Sequence, residues 1–248
     1  MHLCHRHPHF GARFPRLHSQ VRKTTPDCFK FALAAARQAV LSSGWVPTDD
    51  AAMAAAGVSF GCSLPGLQDF DDALKAFDAQ GYRRVSPVVV PHMLTNMAGG
   101  LISIQHNLRG PNHCVSTACA TGAHALGDAF RFIKYGDADV MVAGGADGGI
   151  HPVILAGFCR IKALATGYND DPERASQPFS RDRQGFVMGE GAGAMVLEER
   201  GHALRRGATI HAEVLGYGLS GGCTTSNLVP PASTRNLPSH PLAHKFVH

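Results

Sequence analysis

The chain has 248 residues, of which 44% are hydrophobic, and its formal net charge is +4. This composition is globular and supplies enough apolar residues for the core of one large or two small domains. It excludes a membrane-spanning helix, because no apolar run approaches the roughly 18 residues required. It also argues against a nucleic-acid-binding surface, because no Lys/Arg run is interleaved with aromatic residues, whereas a moderately basic face for an acidic partner stays open.

The seven cysteines are scattered along the chain, and their number is odd, which favours a reducing compartment over a disulfide framework. No pair has C-x-x-C spacing, so the sequence predicts neither a zinc ribbon nor a thioredoxin-like site. We expect no metal and no cofactor.

Residues 1–24 are basic, rich in histidine and free of acidic side chains. An organelle transit peptide has this charge, but the segment is short of serine and contains Pro8 and Pro15, which hinder an amphipathic helix. The histidines could instead bind a metal. A disordered leader is the interpretation that the composition favours.

The first half of the folded part begins with a helix from Thr25, taken as its N-cap, to about Ser43, where Gly44 ends it. A short apolar strand follows over residues 54–61. The turn at residues 62–66 could line a pocket. An amphipathic helix is predicted over 67–80.

A buried helix is predicted over residues 91–108, followed by the stretch around which the chain is organised, residues 113–122. Val115 and Thr117 suit a strand, and the small residues after them suit a sharp turn into a helix over 121–135. Cys119 then lies at the helix N-terminus, where unpaired N–H groups favour the nucleophilic thiolate. We therefore interpret Cys119 as a nucleophile.

The second half continues with a strand over residues 137–145, whose apolar run suits a sheet covered on both faces. Strand, helix and strand in this order predict a parallel crossover. A helix over 152–164 follows. The spaced glycines of 185–193 do not fit a dinucleotide loop, because they lead into a strand rather than a helix.

A short helix near residues 201–206 and a strand over 210–217 complete the predicted elements. From residue 223 to 248 the chain is rich in proline and has no apolar period, so this tail is predicted to be disordered or foreign to the domain.

Several of these stretches carry a close resemblance to one enzyme family. They are Gly110-Pro111-Asn112, Ser116-Thr117-Ala118-Cys119, residues 136–145, Ala156-Gly157-Phe158, Arg181-Asp182-Arg183 and residues 185–193. Over about residues 27–220 the chain resembles the N-terminal half of a β-ketoacyl-acyl-carrier-protein synthase of the type I/II class. Within that class it is most similar to the mitochondrial 3-oxoacyl synthases of animals.

The resemblance implies a thiolase-like α/β fold, layered α/β/α/β/α in the family and usually assembled as a homodimer. It implies fatty-acid chain elongation by decarboxylative Claisen condensation, with the acyl and malonyl forms of acyl carrier protein as partners. Cys119 matches the family's acyl-accepting nucleophile, and its own N–H would supply one oxyanion-hole donor. Leu64 and Phe158 match positions that line the acyl tunnel. Arg160 and Lys162 lie where a carrier-docking face is expected.

Other reactive side chains have structural interpretations. Cys62, Cys114 and Cys159 are predicted to be small buried residues. His124 is near Cys119 in sequence, but it lies in the following helix and is interpreted as a hydrogen-bonded core histidine rather than a base.

Residues 25–222 are thus predicted to form an incomplete synthase N-terminal domain. The family's two catalytic histidines, a lysine and a Gly-Phe-Gly-Gly loop belong to its other half, and no remaining histidine here has their context. We expect such a chain alone to be inactive in condensation, and exposed apolar surface to reduce its stability. It is either a truncated form of a condensing enzyme or a non-catalytic acyl-binding or dimerisation partner. The expected location is mitochondrial, with a cytoplasmic one as the alternative.

Overall fold

The structure, a computed structural model, describes residues 25–220, so the predicted leader and tail lie outside the described residues. Its helices and strands are, in chain order, α1 Asp27–Ser43, α2 Asp50–Ala54, β1 Ala56–Cys62, α3 Leu67–Gln80, α4 Val89–Met93, α5 Met97–His106, β2 Asn112–His113, α6 Thr121–Lys134, β3 Val140–Asp147, α7 Pro152–Arg160, β4 Gly191–Glu198 and α8 Arg200–Arg205. Within this range no helix is both long and apolar enough to cross a membrane.

The four strands form one sheet in the order β2-β1-β3-β4. Strand β1 is parallel to both β2 and β3, and β4 runs antiparallel to β3. The parallel arrangement expected from strand, helix and strand is confirmed, with β2 and β3 on opposite sides of β1. The C-terminal ends of β1 and β3 therefore meet at one edge of the sheet, where ligands commonly bind in such folds.

Alternate residues of the central strands pack against different helices. Val58 and Val142 belong to the cluster that includes the buried face of α1 and Ile102 of α5. Met141 and Ala143, the residues of opposite parity on β3, pack instead with Ala129 of α6. This two-residue period produces helical cover on both faces, as the continuous apolar run of β3 indicated.

Glu198, at the end of β4, joins three elements. Both of its carboxylate oxygens accept hydrogen bonds from Arg206, at 2.6 and 2.7 Å, and Oε1 lies 2.5 Å from His202 Nδ1. Arg206 also donates to the carbonyl oxygen of Ser43, at the end of α1. Burial raises the pKa of Glu198, but the contacts with Arg206 and His202 lower it by more, so that this pKa lies below its ordinary value of 4.5.

The predictions for α1, β1, α3, α6, β3 and β4 are confirmed to within a few residues. The N-cap of α1 was wrong: Pro26 occupies that position without a side-chain hydrogen bond, whereas Gly44 does end the helix in the left-handed conformation. The predicted helix over 91–108 is two helices, because Leu94 is extended and separates α4 from α5.

The predictions of two strands were also wrong. The strand before Cys119 has only two residues in the sheet, Asn112 and His113. No strand forms over 210–217. An alternating segment is a strand only when a neighbouring strand takes its hydrogen bonds. Here Tyr217 instead packs its ring on α6 at Gly127, where an added Cβ would lie 2.0 Å from that ring.

Glu198→Gln is expected to lower the free energy of unfolding by about 1–3 kcal/mol at pH 7, because a neutral amide replaces a largely buried carboxylate and only one of its two polar atoms can accept from Arg206. A carboxylate with a depressed pKa stabilises the fold above its unfolded-state pKa, and this contribution is lost as pH falls through the folded-state pKa. The difference between the two proteins should therefore shrink below about pH 4.5. Denaturant titrations at pH 7 and pH 4 measure it.

Glu173→Gln provides the matched control, because Glu173 is exposed and lies in a short turn. Equal effects of the two substitutions, or a difference that does not change with pH, would contradict this role of Glu198.

Candidate active site

Cys119 lies on a tight turn between the sheet and α6. Thr117 has φ −131° and ψ 43°, and Ala118 then adopts φ +50°, a left-handed conformation that is uncommon for a residue with a Cβ. Ala118–Ala120 form a single 3₁₀ turn, and α6 begins at Thr121. The side chain of Cys119 is exposed, so the turn presents its thiol at the N-terminal end of a helix, as predicted from the sequence.

The turn is held against the sheet by residues without side chains. An added Cβ on Gly61 of β1 would lie 2.2 Å from Thr121 Cγ2 and 2.5 Å from the carbonyl oxygen of Val115. On β3, an added Cβ on Gly145 would lie 3.1 Å from Gly122 Cα. Any larger residue would move the start of α6 away from the sheet, and Cys119 with it.

Two hydrogen bonds connect the turn to the first residues of α6. The backbone N–H of Thr117 donates to Thr121 Oγ1 at 2.8 Å. The hydroxyl of Thr117 lies 2.8 Å from His124 Nδ1. His124 therefore has a hydrogen-bond partner in the turn itself.

Cys119 opens onto a cavity of about 720 Å³ at the C-terminal ends of β1 and β3. Leu64, in the turn after β1, and Phe158, on α7, line the same cavity. The structure thus brings together the three residues singled out as nucleophile and tunnel lining. The remaining wall is mostly small or apolar, including Ala143 to Ala146, Ile154, Met188 and Gly191 to Met195.

Arg160 and Lys162 lie at and just beyond the end of α7, and both are exposed. Neither is among the residues that line the cavity. They follow Phe158 by two and four residues in the sequence, and both cations lie on the surface.

Three features of the cavity were not predicted from the sequence. The glycines of 189–193 form part of its wall, although their spacing indicated only a strand. Phe186 packs edge-on against Phe158, with ring centroids 6.2 Å apart. A polar pair, Ser63 and Asp147, also lines it, with the Ser63 hydroxyl donating to Asp147 at 3.2 Å. Because the two residues are far apart in sequence, only their polar side chains could have suggested that they form a pair.

None of the cavity's described lining residues is a histidine. Of the other described histidines, His92 pairs with Asp69, His151 accepts the N–H of Val153 at the start of α7, and His124 contacts Thr117 in the turn of Cys119. Residues 25–220 also contain no group of three or more His, Cys, Asp or Glu side chains arranged to hold a metal.

The other cysteines differ in exposure. Cys62 is buried as predicted, and a hydrogen bond with Cys28, together with burial, raises the pKa of its thiol well above the ordinary value. Cys114 is half-buried. The prediction for Cys159 was wrong, because α7 buries none of its residues fully and Cys159 faces outward.

This architecture, a mixed sheet with helices on both faces and a cysteine turn opening on an apolar cavity, is that of an α/β protein, and its similarity to solved ketosynthases identifies the thiolase-like fold. Residues 2–203 match the family model described as "Beta-ketoacyl synthase, N-terminal domain". The chain belongs to this family.

Two curated relatives show how much of the family's length is present. The chain is 55% identical over 191 residues to 3-oxoacyl-[acyl-carrier-protein] synthase 2 of Rhizobium meliloti (strain 1021), covering 77% of this chain and 45% of that protein. It is 47% identical over 199 residues to the mitochondrial 3-oxoacyl-[acyl-carrier-protein] synthase of Arabidopsis thaliana, covering 80% and 43% respectively. The chain thus spans about half the length of the curated relatives it matches.

Solved structures agree with this assignment. A β-ketoacyl synthase from Burkholderia phymatum STM815 superposes with a TM-score of 0.70 at 30% identity, over 80% of this chain and 49% of that one. A ketosynthase solved in complex with its type II polyketide acyl-carrier protein superposes with a TM-score of 0.69 at 27% identity, over 75% and 47%.

Gly61→Ala is expected to displace the start of α6 and slow alkylation of Cys119 by iodoacetamide at least about fivefold, because the added methyl group meets backbone as well as the Thr121 side chain. Peptide-level mass spectrometry of the native chain measures the rate.

Gly100→Ala is the control, because an added Cβ at this position in α5 meets nothing within 4 Å. If Gly61→Ala folds and Cys119 reacts as fast as in the control, the close packing does not position the thiol.

Proposed function

We propose that this chain carries the acyl-accepting site of a 3-oxoacyl-acyl-carrier-protein synthase, with Cys119 as the nucleophile. The observation that supports it most is the position of an exposed thiol, on a strained turn at a helix N-terminus, at a largely apolar cavity of about 720 Å³. Pockets of several hundred Å³ with few polar groups suit an apolar ligand such as an acyl chain.

In the proposed acyl transfer, the Cys119 thiol releases its proton to solvent and the thiolate attacks the carbonyl carbon of an acyl thioester on the carrier protein. A new C–S bond forms to Cys119, the C–S bond to the carrier's prosthetic group breaks, and that sulfur leaves as a thiolate, which takes up a proton from solvent. The N–H of Cys119 would be one donor to the oxyanion, aided by the N-terminus of α6. Leu64 and Phe158 would contact the acyl chain and limit its length.

Condensation is the second half of the reaction of 3-oxoacyl synthases. Malonyl carrier protein loses carbon dioxide, and the resulting carbanion attacks the acyl-Cys119 carbonyl, which forms a C–C bond and releases the thiolate. This step needs donors that stabilise the enolate, and each such donor contributes on the order of 10²–10³ in rate. The described lining residues include no histidine for this role, so the proposal assigns acyl transfer alone to residues 25–222.

The alternative is a non-catalytic acyl-binding or dimerisation partner. Retention of Cys119 favours the enzyme, because a partner without chemistry has no use for an exposed cysteine at the cavity. Among the described residues, the exposed two-residue strand β2 lies at an edge of the sheet, where a second copy could pair, and this supports the homodimer proposal. The Arabidopsis relative's name supports the mitochondrion as the compartment.

Acyl carrier protein is the proposed partner. The curated relatives are named for activity on it, and one similar ketosynthase was solved in complex with its own carrier. Arg160 and Lys162 are the proposed docking cations, because both are exposed and follow Phe158, which lines the cavity, by two and four residues. Such charges on the rim of an interface mainly increase the rate of association.

The test is to incubate the full chain with octanoyl-acyl carrier protein and locate any octanoyl adduct by peptide mass spectrometry. We expect the adduct on Cys119, and none at that peptide in Cys119→Ser. A wild-type chain that stays unmodified while its Cys119 reacts with iodoacetamide would contradict acyl transfer. An acylated chain that forms no 3-oxo product with malonyl carrier protein agrees with the proposal that residues 25–222 carry out acyl transfer but not condensation.

Docking is tested by comparing octanoyl-acyl carrier protein with octanoyl-N-acetylcysteamine, a small thioester that needs no docking surface. Arg160→Glu with Lys162→Glu should slow acylation from the carrier about tenfold or more and leave the small thioester's rate within about twofold. Lys134→Glu, at the far end of α6 from Cys119, is the single charge reversal used as a control and should affect neither rate. Equal slowing with both donors would contradict a docking role.

A further inference from the structure

The turn that carries Cys119 contains a residue in an unfavourable backbone conformation. Ala118 has φ +50°, although its Cβ makes the left-handed region costly for an L-residue. Such a conformation persists only when surrounding contacts hold it. Since Ala118 directly precedes Cys119, whatever holds this conformation also determines where the thiol points.

Thr117 is the residue through which the surroundings can act on this turn. Its N–H donates to Thr121 Oγ1 at 2.8 Å, and its carbonyl oxygen accepts the N–H of Ala120 at 3.1 Å. Its hydroxyl lies 2.8 Å from His124 Nδ1. Three polar groups of one residue are therefore fixed by partners on the turn and the first two turns of α6.

The two side chains that contact Thr117, those of Thr121 and His124, are themselves held by neighbouring residues. Thr121 is buried, and its methyl group lies against β1 at Gly61. The His124 ring makes an edge-to-face contact with Tyr217, at a centroid distance of 6.3 Å. Arg131 stacks on the Tyr217 ring in turn, with its Cζ 5.1 Å from the ring centroid.

We propose that Thr117 and His124 are positioning residues, whose side-chain hydrogen bond holds the Ala118 conformation and so directs the Cys119 thiol into the cavity. This inference rests on the proposed role of Cys119 as the reacting group. His124 is assigned no proton transfer, because it is not among the residues lining the cavity and its Nδ1 is already engaged by Thr117.

The test uses N-octyl iodoacetamide on the full chain. The octyl group occupies the cavity, and the Cys119 thiolate then displaces iodide, forming a C–S bond. Saturation kinetics followed at the Cys119 peptide separate the inactivation constant KI, which reports occupancy of the cavity, from the maximal rate kinact, which reports alignment of the thiol.

Thr117→Val and His124→Gln both remove the hydrogen bond between the Thr117 hydroxyl and His124 Nδ1. Valine has no hydroxyl, and the amide of glutamine reaches the position of Nε2 rather than that of Nδ1. Each is expected to lower kinact about fivefold, roughly the effect of one net hydrogen bond on an equilibrium, with KI unchanged within about twofold. Thr117→Ser keeps the hydroxyl and His124→Asn keeps a polar atom near Nδ1, so both should retain kinact within about twofold.

The double variant Thr117→Val with His124→Gln should be no slower than the slower single variant, because both remove the same interaction. A merely structural role would instead raise the labelling of buried Cys62 and change KI. Additive effects, an unchanged kinact, or failure of the two conservative variants to retain it would each overturn the proposal.

The result of this labelling test can be interpreted whether or not the chain carries out acyl transfer. If octanoyl-acyl carrier protein does not acylate Cys119 but kinact falls in the two variants that lack the hydrogen bond, the proposed function fails and the positioning role stands. If acyl transfer occurs and kinact is the same in every variant, the positioning role alone is wrong.

Discussion

The structure depends on the close approach of the start of α6 to the middle of the sheet. Gly61 on β1 and Gly145 on β3 have no side chains, so Thr121 and Gly122 pack almost directly on strand backbone. This contact determines where α6 begins, and the turn of Ala118–Ala120 must therefore complete the change of direction in three residues. The exposed thiol and the floor of the cavity both lie at this contact.

The sequence predicted the helices and strands whose buried residues recur at a regular spacing. The helical spacing of apolar residues in α1 and α6, and the continuous apolar run of β3, follow from burial on one or both faces, and burial leaves a clear pattern. Cys119 could be singled out because small residues between a strand and a helix predict a turn with an exposed side chain. Leu64 and Phe158 were found only through the family resemblance, since nothing in their local sequence indicates a cavity.

The remaining features depend on contacts between distant residues, which a local pattern does not record. The φ of Ala118 opposes the intrinsic preference of alanine, in a turn that leads into α6 where Thr121 packs closely against Gly61. Residues 210–217 alternate like a strand, yet Tyr217 packs on α6 and no neighbouring strand among the described residues pairs with that segment. Similarly, the contact of Phe186 with Phe158 joins α7 to a loop residue that is 28 positions further along the sequence.

This packing presents Cys119 to an apolar cavity, which we propose accepts an acyl chain. A crystal structure of the full chain after reaction with an octanoyl thioester would show where the chain lies. We expect continuous density from Cys119 Sγ to an octanoyl chain lying between Leu64 and Phe158, with Ala118 still in the left-handed conformation. An octanoyl chain bonded to Cys119 but directed away from the cavity, or an adduct on another cysteine with the cavity empty, would contradict it.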